Sequence, residues 1–175
     1  NGLTTISNAI GQGEVTLTPL QIANLGATIA NRGYYITPHV VRSVDGEDTD
    51  VAYTDRHYVN VDKENYEIVV QGMRQSVIDG TCRAANNRDY LVCGKTGTAQ
   101  NRGIDHSVFM GFAPMEDPKI AIAVYVENGG FGAVYGVPIG ALMMEQYING
   151  SLSEASLRKV EDYSSRVIDY GEEER

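Results

Sequence analysis

Apolar residues recur at helical spacing in two stretches of the first half of the chain. The first stretch begins with Thr18-Pro19-Leu20-Gln21, which has the spacing of a capping box with proline at the first helical position, and it ends at Gly33. The second stretch runs from Asp62 to the residue before Gly80. These patterns predict two amphipathic helices, because positions three and four residues apart lie on one face of a helix. Between them, Asp45-Gly46-Glu47-Asp48 predicts a polar turn with short strands beside it.

The period changes to that of strands in the second half. Tyr90 to Thr98, His106 to Ala113 and Lys119 to Glu127 each predict a strand, and residues 114–118 predict the hairpin loop between the last two. A glycine-rich loop at 128–132 precedes a helix predicted over 138–148, and a polar helix is predicted over 153–168 before an acidic end at 172–175. The order of elements indicates an α+β fold with a three-stranded antiparallel sheet and packed helices.

Composition narrows the classes of function. The 175 residues include 14 Lys and Arg against 23 Asp and Glu, and the net charge of −9 argues against nucleic acid as a partner. The longest apolar run, Ile120 to Val126, is far shorter than a membrane helix of about 20 residues. The chain starts at Asn1 without a signal peptide, which indicates a piece of a longer protein. Two cysteines and no cluster with metal-ligand spacing predict neither a disulfide scaffold nor a metal or other cofactor.

Four patterns resemble functional motifs, but each conflicts with the chemistry that the motif requires. Gly94-Lys95-Thr96 lacks the upstream glycine of a phosphate-binding loop, and Gly11-Gln12-Gly13 lacks the third glycine of a dinucleotide site. Asp105-His106-Ser107 are neighbours on a strand, so their side chains alternate between faces and cannot form a catalytic relay. Ser156-Leu157-Arg158-Lys159 matches S-x-x-K, but it lies in a charged helix that we expect to be exposed.

The remaining pattern is Lys95-Thr96-Gly97-Thr98 on the first predicted strand of the sheet. Thr96 and Thr98 are two residues apart, so they lie on the same face, and Gly97 leaves space for a ligand against the backbone. Two hydroxyls, a bare backbone and an ammonium group suit an extended substrate that ends in a carboxylate. Taken alone, the same residues are also compatible with a threonine-rich edge strand and a solvent-exposed lysine.

The neighbouring residues favour the ligand site, because together they resemble a known family. The chain contains, in order, Ile10-Gly11-Gln12-Gly13, Thr18-Pro19-Leu20-Gln21, Ile29-Ala30-Asn31-Arg32-Gly33, Lys95-Thr96-Gly97-Thr98-Ala99-Gln100, Asp105-His106, Gly111-Phe112-Ala113-Pro114 and Glu127-Asn128-Gly129-Gly130. This series resembles the C-terminal part of the transpeptidase domain of class B penicillin-binding proteins, most closely those of the elongation type. The resemblance covers about Gly11 to Ile148. One departure is Val108-Phe109, where many relatives carry a tryptophan.

The resemblance implies a serine D,D-transpeptidase that cross-links peptidoglycan stem peptides ending in D-Ala-D-Ala and is acylated by β-lactams. Lys95 and Thr98 would be catalytic: Lys95 would supply positive potential and the Thr98 N–H would be an oxyanion donor. Thr96, Gly97 and Thr98 would bind the substrate. The implied location is the bacterial cell envelope, at the periplasmic face of the inner membrane, and the implied partners are the cell-elongation machinery, including a membrane glycosyltransferase.

The nucleophile of the family has no match in this chain. No S-x-N triplet occurs, and the S-x-x-K at Ser156 follows the K-T-G motif, whereas in the family it precedes it. We therefore expect residues 1–150 to be the C-terminal half of a transpeptidase domain, followed by a polar helix and acidic tail at 151–175, and we expect this chain alone to be inactive. Two alternatives remain at this point: a non-enzymatic penicillin-binding sensor or interaction module on the same scaffold, and a serine β-lactamase fragment.

An envelope location, implied by the resemblance, would also allow a disulfide bond. Cys82 and Cys93 are close enough in sequence to meet across the turn that precedes the motif strand. The pair could equally be two buried thiols without a bond between them.

Overall fold

The computed structural model describes residues 2–168, and the acidic end at 172–175 lies outside them. The described helices are α1 (Gly2–Ala9), α2 (Pro19–Ala30), α3 (Lys63–Asp79), α4 (Gly136–Asn149) and α5 (Glu154–Ser165). The described strands are β1 (Tyr34–Tyr35), β2 (Ser43–Val44), β3 (Glu47–Asp48), β4 (His57–Tyr58), β5 (Cys93–Ala99), β6 (His106–Ala113) and β7 (Ile120–Val126). No described helix is long and apolar enough to cross a membrane.

The central sheet has the strand order β5-β6-β7, with both pairs antiparallel. Thr96 on β5 lies opposite Phe109 on β6, which in turn lies opposite Val124 on β7. Helices α2 and α3 pack on one face of this sheet and α4 packs on the other. The predicted α+β fold with a three-stranded antiparallel sheet is confirmed.

Phe109 is the centre of the larger core cluster and is fully buried. Phe109 fills the space that side chains would need at two positions of α4. A Cβ at Gly140 would lie 2.5 Å from the Phe109 ring, and a Cβ at Gly136 would lie 3.0 Å from the Phe109 Cβ. Without side chains at these positions, the backbone of α4 can approach β6 closely. The two glycines lie on the side of α4 that faces the sheet, and they set the depth at which α4 packs.

The predicted helix boundaries agree with the structure to within a few residues. Thr18 forms both hydrogen bonds of the capping box with Gln21, which begins α2 at Pro19. The polar turn at Asp45-Gly46 joins β2 to β3, and both turn residues have positive φ, as a tight hairpin requires. Helix α1 was not predicted from the sequence, although Leu3, Ile6 and Ile10 recur at helical spacing. In the structure these three residues are exposed and none of the helix is buried.

The two cysteines are free thiols in the structure. Cys82 belongs to the cluster around Phe109, whereas Cys93 belongs to the cluster around Phe112 on the α2 and α3 side of the sheet. Neighbouring strand residues face opposite sides, so β5 turns Cys93 away from the side where Cys82 is buried. The predicted disulfide is therefore wrong and the alternative of two buried thiols is observed. Burial raises the pKa of Cys93 to about 11.

We expect both cysteines to be unreactive in the folded chain, because they are fully buried and burial raises the pKa of each thiol. A thiol assay with an aromatic disulfide reagent, run without reductant, should give a slow reaction under native conditions and two thiols per chain in denaturant. Two thiols that react rapidly in the native protein, or none in denaturant, would contradict this arrangement.

Helix α5 is mostly exposed, as predicted, but Ser156 is not. Its side chain is buried, and its hydroxyl donates a hydrogen bond of 2.5 Å to Glu145 on α4. The Ser153 N–H donates to the other Glu145 oxygen at 2.9 Å. Burial raises the pKa of the Glu145 carboxyl, but the hydrogen bonds from Ser156 and Ser153 outweigh it and leave the pKa below its usual value. The exposure predicted for Ser156 is therefore wrong, and its role in the structure is to attach α5 to α4.

Replacing Ser156 with alanine should lower the free energy of unfolding by about 1.5–3 kcal/mol at pH 7, because one hydrogen bond to a carboxylate is lost. A group whose pKa is lowered by folding stabilises the fold above its usual pKa and loses that effect as the pH falls. The difference between Ser156→Ala and the unmodified chain should therefore shrink as the pH falls below the usual pKa of a glutamate, about 4.3. Urea denaturation at several pH values measures it. Ser164→Ala is the control, since Ser164 is exposed and its hydroxyl bonds only a carbonyl of its own helix. Equal losses from both variants would rule out the role of Ser156.

Candidate active site at the edge of strand β5

The position of Gly132 shows which way the backbone groups of β5 point. A Cβ at Gly132 would lie 2.4 Å from the Val108 carbonyl oxygen and 2.7 Å from the Gly97 carbonyl oxygen. These two residues are register partners, so their carbonyls face each other between β5 and β6. Backbone groups alternate direction along an antiparallel strand. The N–H and C=O groups of Thr96 and Thr98 therefore point away from β6, to the outer edge of β5.

The hydrogen bonds made by nearby side chains agree with this assignment. The Lys95 ammonium donates to the Thr96 carbonyl at 2.6 Å, and the Gln12 side-chain amide donates to the Thr98 carbonyl at 2.7 Å. No other strand among residues 2–168 pairs with this edge. The outward carbonyls of Thr96 and Thr98 are thus satisfied by side chains rather than by a neighbouring strand.

Thr96 and Thr98 lie on the same face of β5, as the spacing predicts, since they are opposite Phe109 and Ser107. The Thr96 hydroxyl lies 2.7 Å from the Thr81 hydroxyl, which comes from the segment after α3. Thr81 was not identified from the sequence. It lies 15 residues from Thr96 and belongs to no motif, so only the tertiary structure brings the two hydroxyls together.

Gly97 faces the opposite side, toward Val108. A Cβ at Gly97 would lie 3.2 Å from the Val108 Cβ, which is a tight contact. Beside Gly97 and Thr98 is a cavity of about 480 Å³, which the loop 11–17 closes on its other side. Val108 on β6 and Tyr125 on β7 also line this cavity. The motif strand therefore has an open edge and a cavity next to it.

Lys95 is exposed and carries the positive charge of this edge. The thiol of Cys82 is buried nearby. Burial raises its pKa, while hydrogen bonds from Ser76 and Thr81 and the charge of Lys95 act in the opposite direction. Because the thiol stays protonated at neutral pH, it does not neutralise the charge of Lys95.

Residues 105–107 hold the glycine-rich loop in place. The Ser107 hydroxyl donates to the Phe131 carbonyl and accepts from the Gly136 N–H, both at 3.0 Å. The His106 ring Nδ1 accepts from the Asn128 N–H at 3.0 Å. The Asp105 carboxylate accepts from the Asn101 N–H at 3.3 Å. The three side chains have separate partners, so the interpretation that Asp105-His106-Ser107 is not a catalytic relay agrees with the structure. Gly94-Lys95-Thr96 lies within β5 and not in a loop before a helix, which also excludes a phosphate-binding loop.

No group of three or more potential metal ligands lies together within residues 2–168. The site residues predicted from the sequence, Lys95, Thr96, Gly97 and Thr98, are all on β5. The side chains that accompany them, Gln12 and Thr81, come from two other parts of the chain.

A comparison with protein families matches residues 2–145 to the penicillin binding protein transpeptidase domain. The chain is 39% identical over 149 residues to the peptidoglycan D,D-transpeptidase MrdA of Acinetobacter baumannii, covering 73% of this chain and 22% of that protein. It is 34% identical to the peptidoglycan D,D-transpeptidase PbpA of Mycobacterium tuberculosis, covering 81% of this chain and 31% of that protein. The chain therefore spans between a fifth and a third of the length of these relatives.

Solved structures of penicillin-binding proteins are also similar to this chain. The structure of Pseudomonas aeruginosa PBP2 in complex with WCK 5153 matches with a TM-score of 0.70 and 37% identity, covering 87% of this chain and 33% of that one. The imipenem acyl-enzyme complex of penicillin-binding protein A from M. tuberculosis matches with a TM-score of 0.67 and 31% identity, covering 80% of this chain and 33% of that one. The order of the motifs, the sheet and these matches agree: the chain belongs to the penicillin-binding protein transpeptidase family and resembles its penicillin-binding protein 2 members.

Proposed function

We propose that the protein to which this chain belongs is a peptidoglycan D,D-transpeptidase that forms a serine acyl-enzyme and is acylated by penicillins. The observation that carries the proposal is the outer edge of β5, where the backbone groups of Thr96 and Thr98 point out of the sheet beside an exposed lysine. Relatives of this chain are named peptidoglycan D,D-transpeptidases, and one similar structure is an acyl-enzyme.

An extended stem peptide would lie along this edge as an added strand. Its backbone would form hydrogen bonds with the outward groups of Thr96 and with the outward N–H of Thr98, which supply affinity without depending on side-chain identity. The hydroxyls of Thr96 and Thr98 and the Lys95 ammonium would bind the terminal carboxylate. A charge-assisted hydrogen bond of this kind is about twice as strong as a neutral one. Gly97 has no side chain, so the ligand could lie close to the backbone of β5 at this position.

The Thr98 N–H would stabilise the negative charge that develops on the carbonyl oxygen during acyl transfer. In the reaction, a serine oxygen attacks the D-Ala-D-Ala carbonyl and the peptide bond to the terminal D-Ala breaks. An amine of a neighbouring stem peptide then takes the acyl group and restores the serine. A backbone N–H held in a strand needs no reorganisation when the charge appears, and this preorganisation is the source of its effect.

The nucleophile and its base would come from the part of the protein beyond this chain. The S-x-x-K at Ser156 does not replace them, because the Ser156 hydroxyl is buried against Glu145 on α4. We take residues 1–150 as the C-terminal half of the transpeptidase domain and residues 151–175 as a helical extension with an acidic tail.

The proposed setting is the periplasmic face of the bacterial inner membrane, where the protein would act with a glycan-polymerising glycosyltransferase of the elongation machinery. Support comes from a similar structure described as a peptidoglycan synthase complex that coordinates polymerization and crosslinking, with a TM-score of 0.70 and 31% identity. The names of the relatives favour this function over a β-lactamase or a non-enzymatic sensor.

The 175-residue chain alone should not be labelled by a fluorescent penicillin after denaturation, because binding groups cannot replace a serine nucleophile and its base. The longer parent protein should be labelled under the same conditions. Gel fluorescence and mass spectrometry of the adduct measure both outcomes. An adduct on Ser156 would contradict the assignment of the nucleophile, and a parent protein without label would contradict the proposed function.

In the parent protein, Thr98→Pro should slow acylation by about 100- to 1,000-fold, because proline removes the outward N–H proposed as an oxyanion donor. Thr98→Ser should retain most activity, since it keeps both the N–H and a hydroxyl. The Thr98 N–H does not bond to β6, so proline removes no hydrogen bond of the sheet. Stopped-flow acylation rates measure the effect, and circular dichroism checks the fold. Equal rates for the two variants would exclude the Thr98 N–H from catalysis.

A further inference from the structure

Gln12 connects the loop after α1 to the end of the motif strand. Its side-chain amide donates to the Thr98 carbonyl at 2.7 Å, and its side-chain oxygen accepts from the Gln100 N–H at 3.4 Å. The two backbone groups are on the outer edge of β5, and they are spaced as the groups that a neighbouring strand would pair with. One carboxamide therefore satisfies the edge at the point where β5 ends, at Ala99.

The two glycines beside Gln12 explain how its side chain reaches this edge. Gly11 has a φ of 78°, a conformation that ends α1 and reverses the chain. At Gly13 a Cβ would lie 1.3 Å from the Asn8 side-chain oxygen, so only glycine leaves room for Asn8, which accepts from the Glu14 N–H at 3.0 Å. The Gln12 N–H donates to the Ser7 carbonyl at 2.9 Å. The backbone conformation that Gly11 and Gly13 allow thus holds the Gln12 side chain in place.

We propose that Gln12 is a positioning residue for the acyl-transfer site, an inference that rests on the proposed function. By holding the Thr98 carbonyl and the Gln100 N–H, it fixes the orientation of the Thr98 backbone, including the adjacent N–H that faces the substrate. It also occupies the Thr98 carbonyl and the edge beyond it, so an added substrate strand pairs only with the Thr98 N–H and the residues before it. Gln12 thereby sets both the direction of the Thr98 N–H and the register in which the substrate pairs with β5.

A role limited to stability would require only that the loop 11–17 covers the cavity. The apolar residues Val15, Leu17 and Ile22 line that cavity and provide such cover. A positioning role requires more of residue 12. Its side chain must donate to the Thr98 carbonyl and accept from the Gln100 N–H. A side chain that keeps the shape of glutamine but exchanges the donor for a second acceptor separates the two roles.

The test uses Gln12→Glu and Gln12→Ala in the longer parent protein. In Gln12→Glu, the ionised carboxylate places an acceptor against the Thr98 carbonyl, whereas the protonated carboxyl restores the donor. The acylation rate of this variant should therefore recover as the pH falls toward the usual pKa of a glutamate, about 4.3. Relative to the unmodified protein at each pH, Gln12→Glu should be slowed about 10-fold or more at pH 7.5, as expected for a displaced catalytic group, and should regain about half of the lost rate near pH 4.3, where half of the carboxyl is protonated. Gln12→Ala should be slowed at every pH.

Other ionisable groups lie near residue 12, and the comparison with the unmodified protein separates them from it. Tyr125 lines the cavity, and burial together with Glu127 raises its pKa, so it stays neutral below about pH 8. Lys95 lies on the same strand as Thr98, Glu14 lies in the same loop as Gln12, and His106 lies opposite Ala99. All of these groups are present in both proteins, so dividing each rate by that of the unmodified protein removes their contribution.

The matched control is Gln75→Ala, which removes an exposed glutamine from α3. Rates for both Gln12 variants within about twofold of this control would overturn the positioning role, and so would a loss in Gln12→Glu that does not recover at low pH. An unmodified parent protein that fluorescent penicillin does not label would instead refute the proposed function itself. A slow Gln12→Ala together with pH-dependent recovery in Gln12→Glu would establish the role.

Discussion

The packing of Phe109 between the sheet and α4 is the contact on which the site depends. The ring is fully buried, and the backbone of α4 approaches it at Gly136 and Gly140. Large aromatic side chains contribute most to core stability, and a close-packed interior transmits any change in their position. Phe109 lies opposite Thr96, so the same contact that seats α4 also fixes the strand that carries the motif.

Backbone N–H and C=O groups alternate in direction along β5, and this alternation leaves half of them on its outer edge, where a substrate could bind. One set of backbone groups of β5 bonds β6, and the other set, which includes Thr96 and Thr98, points outward. The residues around the edge satisfy the carbonyls through the side chains of Lys95 and Gln12. The edge is therefore ordered before a substrate binds, which lowers the entropic cost of adding a strand to it.

Several patterns that resemble catalytic motifs have structural roles in this molecule. Ser107 and His106 hold the glycine-rich loop, and Ser156 attaches α5 to α4. In each case a polar side chain is engaged by a specific neighbour, and that contact leaves no group available as a nucleophile. Gly11-Gln12-Gly13 differs, because its glycines position a side chain at the proposed active site rather than bind a nucleotide.

The sequence by itself determined most of the elements, though not α1, and the identity of the motif strand. The capping box at Thr18, the alternation along β5 to β7 and the order of the short motifs are local signals, and each depends only on residues near one another in the chain. The sequence also indicated that Thr96 and Thr98 share a face, since that follows from the two-residue period of a strand.

Only the tertiary structure decided what surrounds that strand. The pairing of Thr96 with Thr81, the bonds from Gln12 to Thr98 and Gln100, and the separation of Cys82 from Cys93 depend on which surfaces pack together. The burial of Ser156 was missed for the same reason, because its partner Glu145 lies on another helix. Spacing along the chain reports the period of one element, whereas contacts between elements are set by how their side chains fill a shared core.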